Sequence, residues 1–403
     1  MMSAEPTKLP DRGSALEVLV VFLKLGLSCF GGPIAHLGYF RDAFVTRRRW
    51  LDERAYADLV ALCQFLPGPA SSQVGFSIGL MRAGYLGGLA AWTGFTLPSA
   101  VLLVLFAYGV GSLGGPVGTG LLHGLKLVAV AIVAQAVWGM ARSLCPDRER
   151  ASIAAVAALI VLFSPSSVAQ IAAILLGAVA GLLWCRAAPP MTGGHVAMPV
   201  SRAVGTIALA ASAVLLAAVL LLSGKVSSPG FDRFAAFYRS GALVFGGGHV
   251  VLPLLREAFV APGWIGDDAF LAGYGAAQAV PGPLFTFSAY LGAMVTPQHA
   301  IVGAAFGLLS IFLPGILILV GTLPFWDAFR ARAGAQAAMR GVNAAVVGLL
   351  GAALYNPVWT SSVKAPGDLA VALIGFVLLV SWRAPPLVVV LVSACAGIAL
   401  AIF

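Results

Sequence analysis

Long apolar stretches run through this chain and decide what it can fold into. Spanning a hydrocarbon core of about 30 Å takes roughly 20 apolar residues. The stretches that reach or approach that length are Leu86–Val110, Leu121–Ala141, Val204–Leu222, Ala300–Leu323 and Leu387–Phe403. Of the 403 residues, 60% are hydrophobic and only 10% are charged, whereas soluble domains carry about 25% charged residues. We therefore predict an all-α, multi-pass membrane protein whose solvent is the lipid bilayer.

The charge and cysteine content exclude several other classes of protein. In a membrane protein the net charge of +9 is first a matter of topology, so we expect no nucleic-acid partner. The five cysteines lack metal-ligand spacing, and we expect neither a metal nor a cofactor. Zincin, nucleophile-elbow and Walker sequences do not occur, which argues against an enzyme. The first apolar run contains Glu17 and Lys24, so we expect it to be retained rather than cleaved as a signal peptide.

The chain repeats itself. The repeated features keep their order and a nearly constant offset, which is the signature of two related halves. They are Phe30-Gly31-Gly32 and Phe245-Gly246-Gly247, Trp50 and Trp264, Gln64 and Gln278, Pro67-Gly68-Pro69 and Pro281-Gly282-Pro283, Leu97-Pro98 and Leu313-Pro314, and Gly124 and Gly341. We divide the chain into a cytoplasmic N-terminus (1–14), a first repeat (15–185), a linker (186–233) with one transmembrane helix over 204–222, and a second repeat (234–403).

The two halves are predicted to have inverted topology. An odd number of crossings between equivalent points turns the second half over, as in many transporters. The loop 41–54 contains five arginines, whereas the equivalent loop 256–268 contains one arginine and three acids. Because cytoplasmic loops are enriched in Lys and Arg, the first loop is expected inside and the second outside. Residues 15–45 and 53–82 are then expected to enter the membrane and return to the cytoplasmic face.

Glycine and proline interrupt the apolar segments near their middle, at Phe30-Gly-Gly-Pro33 and Pro67-Gly-Pro69 and again in the second half. Proline removes a backbone donor, and glycine permits non-helical dihedral angles. Broken backbone is tolerated at membrane depth only where protein or a water-filled cavity covers it. Each break therefore predicts a helix that stops and restarts, and the restarting N-terminus is suited to an anion. The alternative is a proline kink that serves packing.

The residues expected to line this substrate site come from both halves. They are Lys24, Phe30, Gly31, Gly32, His36, Gln64, Pro67, Gly68, Pro69, Ser71, Ser72, Lys126, Arg239, Phe245, Gly246, Gly247, His249, Gln278, Pro281, Gly282, Pro283 and Thr286. Lys24 and Arg239 hold equivalent positions, and cations inside a bilayer are usually functional, although they can also snorkel to an interface. No acid is expected at mid-membrane, so the pattern favours an anion as substrate.

At the Phe30 break, the Trp50 loop and the Pro67-Gly-Pro69 break, each with a second copy, the chain resembles the CHR family of chromate ion transporters. It is similar to the long-chain type with two homologous domains, and the resemblance covers almost the whole length. It implies chromate efflux across the bacterial inner membrane and chromate resistance, with sulfate as a related anion. One departure is visible, because the second half reads Phe245-Gly-Gly-Gly248 and lacks the proline of the first.

The residues leave several functional questions open. Membrane potential alone can drive a dianion out of a cell that is negative inside, and proton exchange is a second means of coupling. A passive oxyanion channel is the alternative to a carrier, since broken helices also line pores. A homodimeric assembly is also left open.

Overall fold

The computed structural model of the chain describes residues 13–110, 115–164, 166–185, 199–226, 228–245, 248–326, 328 and 332–402. These residues form helices with short connections, and no β-strand occurs among them. The first half contains α1 (Ala15–Ser28), α2 (Gly32–Phe40), α3 (Glu53–Phe65), α4 (Ala70–Val110), α5 (Gly115–Leu144), α6 (Arg148–Phe163) and α7 (Ser167–Trp184). The linker helix is α8 (Arg202–Leu222). The all-α prediction is confirmed.

The second half repeats the order of the first. It contains α9 (Pro229–Ala242), α10 (Val251–Phe259), α11 (Asp267–Ala279), α12 (Phe287–Val295), α13 (Ala300–Thr322), α14 (Ala333–Ala353), α15 (Pro366–Val380) and α16 (Pro386–Ile402). Within the described ranges, five helical stretches are long and apolar enough to cross a membrane. They are Ala70–Gly109, Gly115–Leu144, Arg202–Leu222, Pro297–Phe325 and Ala333–Ser362. Large apolar side chains stay exposed along α7 and α8, as expected of surfaces that face lipid.

Helix α4 is two antiparallel helices joined by a sharp turn. The backbone leaves the helical region at Ala83 (φ −142°) and at Gly84 (φ +66°). A Cβ atom added to Gly79 would lie only 2.3 Å from the carbonyl oxygen of Gly87, so residues 70–82 and 85–110 lie side by side. In the second half α12 and α13 make the same hairpin. A Cβ on Gly292 would lie 2.1 Å from the carbonyl oxygen of Gly303.

The first two segments return to the face from which they start. At the beginning of α1, Glu17 pairs with Arg82 at 3.1 Å, and Arg82 lies at the turn of α4. The guanidinium of Arg82 also lies over the ring of Trp50, 5.0 Å from its centroid, in the loop between α2 and α3. One cluster thus joins the start of α1, the arginine-rich loop and the turn of α4. The start of residues 15–45, the loop that follows them and the end of residues 53–82 therefore meet in one place, and their re-entrant course stays a prediction.

Equivalent helices pack in equivalent ways, and some cross between the halves. In α5, Gly124 lies against the backbone of Ser393 in α16, and the equivalent Gly341 of α14 lies against Gly177 in α7. The last two helices of each half therefore pack against a long helix of the other half: α6 and α7 pack on α14, and α15 and α16 pack on α5. Helices α5–α7 and α14–α16 form one group, which we call the scaffold bundle. Helices α1–α4 and α8–α13 form a second group, the core bundle, which contains the breaks.

Candidate binding site at the helix breaks

The breaks of the two halves are hydrogen-bonded to each other in a reciprocal pattern. The Gly68 N–H donates to the Val244 carbonyl at 2.7 Å, and the equivalent Gly282 N–H donates to the Cys29 carbonyl at 2.9 Å. Cys29 and Val244 each immediately precede the phenylalanine of a Phe-Gly-Gly sequence. Each Pro-Gly-Pro turn thus satisfies an unpaired carbonyl of the opposite half at the end of a stopped helix. The two breaks form one structure about a pseudo-two-fold axis.

Only glycine fits at the centre of each Pro-Gly-Pro turn. Gly68 has φ +117° and Gly282 has φ +105°, in the region that side chains rarely adopt. A Cβ on Gly68 would lie 3.0 Å from Gly315 Cα, and one on Gly282 would lie 2.8 Å from Ser99 Oγ. Gly315 and Ser99 are themselves equivalent, since each follows the proline of a Leu-Pro pair. The turns therefore pack directly on the kinked long helices of the opposite half.

Polar side chains crowd the first half of this region. Gln73 donates from Nε2 to the carbonyls of Pro67 and Gly315, both at 2.9 Å, and so links the two halves. His36 Nδ1 lies 3.4 Å from Ser71 Oγ, and the His36 ring packs edge-on against Phe95. His36, Ser71 and Gln73 are each at most 2% exposed. Helix α2 lies against α4, so these groups share one buried region.

Several buried polar atoms of this region have no hydrogen-bond partner in the described structure. They are His36 Nε2, Ser72 Oγ, Gln73 Oε1, Ser77 Oγ, Trp92 Nε1 and Thr96 Oγ1. An unpaired buried polar group costs about 1–3 kcal/mol, so such groups are rare and call for an explanation. Gln73 N–H makes the first intrahelical bond, to the Pro69 carbonyl, which leaves the amides of residues 70–72 at the free N-terminus of α4. Free amides and unpaired hydroxyls together suit an anion.

The equivalent region of the second half is built differently. Thr286 donates its hydroxyl to the Pro283 carbonyl at 2.7 Å, and Ser288 donates to the Phe285 carbonyl at 2.8 Å. Phe285 and Phe287 occupy the positions equivalent to Ser71 and Gln73. His249 Nδ1 lies 2.9 Å from the Tyr274 hydroxyl, so this ring is oriented by a partner within its own half. The backbone of the site is symmetric, but its side chains are not.

The structure brings some of the predicted residues to the breaks and leaves others apart. Gly32 meets the second half directly, because a Cβ there would lie 3.9 Å from His249 Nε2, whereas His36 contacts Ser71 and Phe95 of its own half. Phe30, Phe245, Gln278 and Gly282 are half-buried, and Pro69, Pro281 and Pro283 are buried. Gly246 and Gly247 lie outside the described residues. Gln64 is exposed near the end of α3.

The predicted cations require correction. Lys24 is exposed and shares its face of α1 with exposed Val20 and Leu27, which fits the snorkelling alternative rather than a buried cation. Lys126 donates to Asp268 at 2.8 Å, so it forms an ion pair between α5 and α11 instead of facing the breaks. Arg239 is half-buried on α9 within electrostatic range of Glu257 on α10. Of the three cations, Lys24 is exposed and Lys126 is paired, while Arg239 is half-buried in the last turn of α9.

Two acids are buried near the starts of their helices. Asp58, in the second turn of α3, is only 6% exposed, and Asp368, at the start of α15, is 5% exposed. Asp368 accepts from the amides of Lys364 and Ala365 and pairs with His123 at 2.6 Å, which compensates its burial. The sequence analysis did not predict Ser77 and Thr96 as part of this region. The feature that could have indicated them is a hydroxyl side chain in a long apolar helix, on the helix face that points to the break.

Two halves with the same order of helices, and five helical stretches long and apolar enough to cross a bilayer, define a multi-pass membrane protein built from two repeats. The chain belongs to the chromate transporter family, whose sequence model matches residues 16–182 and 231–398. Those two matches coincide with the two halves of the structure and leave α8 between them. No solved structure matches the chain.

Several named relatives match almost the full length of this chain. The chromate transport protein of Pseudomonas aeruginosa is 27% identical over 97% of this chain and 93% of its own length. The chromate transport protein of Cupriavidus metallidurans is 26% identical over 91% of this chain and 88% of its own length. A protein of Synechococcus elongatus named a probable chromate transport protein is 25% identical over 96% of this chain.

Proposed function

We propose that this chain is a secondary transporter of the bacterial inner membrane that exports chromate from the cytoplasm. The observation that carries the proposal is the cluster of unpaired buried polar atoms beside the free N-terminus of α4. A tetrahedral oxyanion offers acceptors for hydroxyl and amide hydrogens, and a helix N-terminus favours negative charge. Membership of the chromate transporter family and the names of the relatives support chromate as that oxyanion.

The ligands that we assign to the oxyanion are neutral donors of the first half. They are the amides at the start of α4 and the hydroxyl of Ser72. Neutral ligands hold a dianion without neutralising it. The bound complex then keeps its charge and responds to the membrane potential.

Export along the potential requires no coupling ion. Moving one elementary charge through 100 mV is worth about 2.3 kcal/mol, so a dianion gains about 4.6 kcal/mol on leaving a cell that is negative inside. That free energy supports a concentration ratio above roughly a thousandfold. The arginine-rich loop 41–54 marks the cytoplasmic side in this proposal, and chromate moves from that side to the opposite one.

Uptake of labelled chromate into inverted membrane vesicles tests the proposal. Export from the cell corresponds to uptake into the lumen, so we expect a lumen-positive potential to stimulate it. Unlabelled sulfate added outside tests whether a related oxyanion competes. Vesicles from cells without the protein, and from cells with Gly68→Leu at matched expression, give the background. If uptake does not depend on the potential but depends on a pH gradient, the transport is coupled to proton exchange instead. If single-channel currents that are proportional to voltage are recorded, the protein is a channel.

A further inference from the structure

Helices α3 and α11 are equivalent in sequence but differ in how they contact the scaffold bundle. Residues 270–277 of α11 are buried on every side. A Cβ added to Gly275 would lie 2.3 Å from the Leu125 carbonyl oxygen, so α11 packs closely along α5. Helix α3 lies against α4 and, among the described residues, does not pack along α14, the equivalent of α5. The pseudo-symmetry of the molecule is broken at this contact.

An ion pair closes the contact that is formed. Lys126 of α5 donates to Asp268 in the first turn of α11 at 2.8 Å, and the Lys126 side chain is 12% exposed. The nearly constant offset between the halves makes Arg54 the equivalent of Asp268 and Asn343 the equivalent of Lys126. Asn343 Oδ1 is buried without a partner in the described structure, and no hydrogen bond from a described residue reaches the exposed Arg54. The contact equivalent to Lys126–Asp268 therefore has a hydrogen-bond donor, Arg54, and an acceptor, Asn343 Oδ1, that are not paired with any described residue.

The uncovered face of α3 is one that suits water rather than lipid. Its exposed residues beyond the first turn are Ala57 and Gln64, in line with Arg54 at helical spacing, and Ala61 between them is half-exposed. Lipid-facing helices of this chain instead expose large apolar side chains, as α7 does with Leu175, Leu176 and Val179. Irregular or polar surface at membrane depth is found where it lines protein or a cavity. The uncovered face of α3 therefore differs from the lipid-facing surfaces of this chain.

We infer that Lys126–Asp268 and Arg54–Asn343 are two alternating latches of the transport cycle. The outer latch (Lys126 and Asp268) is closed in this structure, and the inner latch (Arg54 and Asn343) is open. In the other state α3 packs along α14 and Arg54 donates to Asn343 Oδ1, while α11 leaves α5 and the outer latch breaks. This assignment rests on the proposed transport function, because two inverted repeats that exchange conformations provide alternating access to one site. Lys126 and Asn343 act by positioning helices and do not touch the oxyanion.

Equivalent glutamines report the two states. We expect Gln64→Cys to react with a membrane-impermeant maleimide from the face of the arginine-rich loop. Gln278→Cys, at the equivalent half-buried position of α11, reacts from the opposite face and only when the outer latch is open. Each variant is made in a parent whose exposed Cys395 is replaced by Ser, and the parent's own labelling is subtracted. Labelling is measured without substrate, so its outcome does not depend on whether chromate is transported.

Asn343→Asp tests the inner latch directly, because it places a carboxylate opposite Arg54. A new ion pair favours the state that contains it. We expect the Gln64→Cys labelling rate to fall about fivefold and the Gln278→Cys rate to rise. Adding Arg54→Gln should reverse both changes, and Asn343→Leu, which adds no charge, should not produce them. Lys126→Ala should raise Gln278→Cys labelling by weakening the outer latch.

Three results would overturn the inference. The first is a Gln64→Cys labelling rate that Asn343→Asp leaves unchanged in a protein whose size-exclusion profile matches the parent. The second is Gln64→Cys labelling from the face opposite to the arginine-rich loop, or from neither face. The third is a fall in labelling that Arg54→Gln does not reverse, since the effect would then not pass through Arg54. Failure of chromate uptake with normal latch behaviour would instead contradict the proposed substrate.

Discussion

At the scale of single residues, the glycines of the two Pro-Gly-Pro turns have a double role. Positive φ angles at Gly68 and Gly282 allow the sharp turn, and the missing Cβ lets each turn lie against a helix of the other half. Their N–H groups then bind carbonyls across the pseudo-two-fold axis. The sharp turn, the contact with the other half and the hydrogen bond across the axis therefore all depend on the backbone conformation of this one glycine in each turn. Sequence alone predicts the turn but not the two contacts, which involve residues more than 150 positions away.

Gly84 offers a matched control for these glycines. It also has a positive φ, +66°, but a Cβ there would meet no atom within 4 Å. We expect Gly68→Ala and Gly282→Ala to abolish most chromate export, because backbone strain and collision act together. Gly84→Ala should retain more export than either of them, since it adds backbone strain of about 1–3 kcal/mol without collision. Export is measured in cells at matched protein levels, and equal losses in all three variants would mean that strain alone is responsible.

The asymmetry of the hydroxyl groups gives a second prediction at this scale. Ser72 Oγ is buried and unpaired, whereas the equivalent Thr286 hydroxyl already donates to the Pro283 carbonyl. We expect Ser72→Ala to raise the apparent KM for chromate about fivefold, by removing one donor worth about 1 kcal/mol. Thr286→Val should leave KM within twofold. Vesicle uptake at varied chromate concentration gives both values, and an equal effect of the two variants would contradict a site built from first-half side chains.

Lys24 shows why side-chain direction could not be predicted. In a soluble protein the apolar face of a helix points inward, so helical periodicity gives direction. In a membrane both the lipid-facing and the buried face are apolar, and α1 exposes Leu16, Val20 and Leu27 while burying Val18 and Phe22. The pattern around Lys24 is therefore uninformative. The break at Phe30 was predictable because glycine and proline act on the backbone whatever surrounds them.

At the scale of helices, small residues set the exchange of partners between the halves. In α5 and α16, Gly120 and Gly124 face Ser393 and Gly397, each pair spaced by four residues. The equivalent α14 and α7 pair through Gly341, Gly177 and Gly181. Close approach through small residues drives helix association in membranes. The small residues at a spacing of four can be recognised in the sequence, but this spacing does not indicate which two helices pack together.

Substitution in one of these contacts should disrupt assembly of the scaffold bundle. A Cβ on Gly341 would lie 1.9 Å from the Gly177 carbonyl oxygen, and one on Gly124 would lie 2.3 Å from the Ser393 carbonyl oxygen. We expect Gly341→Leu and Gly124→Leu to prevent recovery of folded protein, because both helix backbones must separate. Gly139→Leu in the same helix α5 meets no atom within 4 Å and should be recovered normally. Size-exclusion profiles in detergent make the comparison, and normal profiles for Gly341→Leu would disprove this packing.

At the scale of the whole molecule, the division by sequence and the division by packing differ. The sequence repeats as a first and a second half, and this pattern was readable because the motifs keep order and offset. Packing instead joins equivalent helices of both halves into a scaffold bundle and a core bundle. The asymmetric contacts of α3 and α11 could not be predicted, because the repeat gives equivalent helices equivalent contacts and the inferred second conformation would exchange them. The sequence repeat indicates that either α3 or α11 can pack on its scaffold helix, but it does not indicate which of these two packings this structure has.

Inverted topology itself makes the last prediction. Loop 41–54 contains five arginines, and its equivalent 256–268 contains one arginine that already pairs with Asp267 at 2.9 Å. Positive loops stay in the cytoplasm, so these equivalent loops should lie on opposite faces. Thr46 and Ala261 are exposed, and replacing them by cysteine leaves the Arg256–Asp267 ion pair intact. In intact spheroplasts, an impermeant maleimide should label Ala261→Cys readily and Thr46→Cys only after permeabilisation. Labelling of both from outside would mean that the two halves are parallel, and the pseudo-two-fold axis could not then lie in the membrane plane.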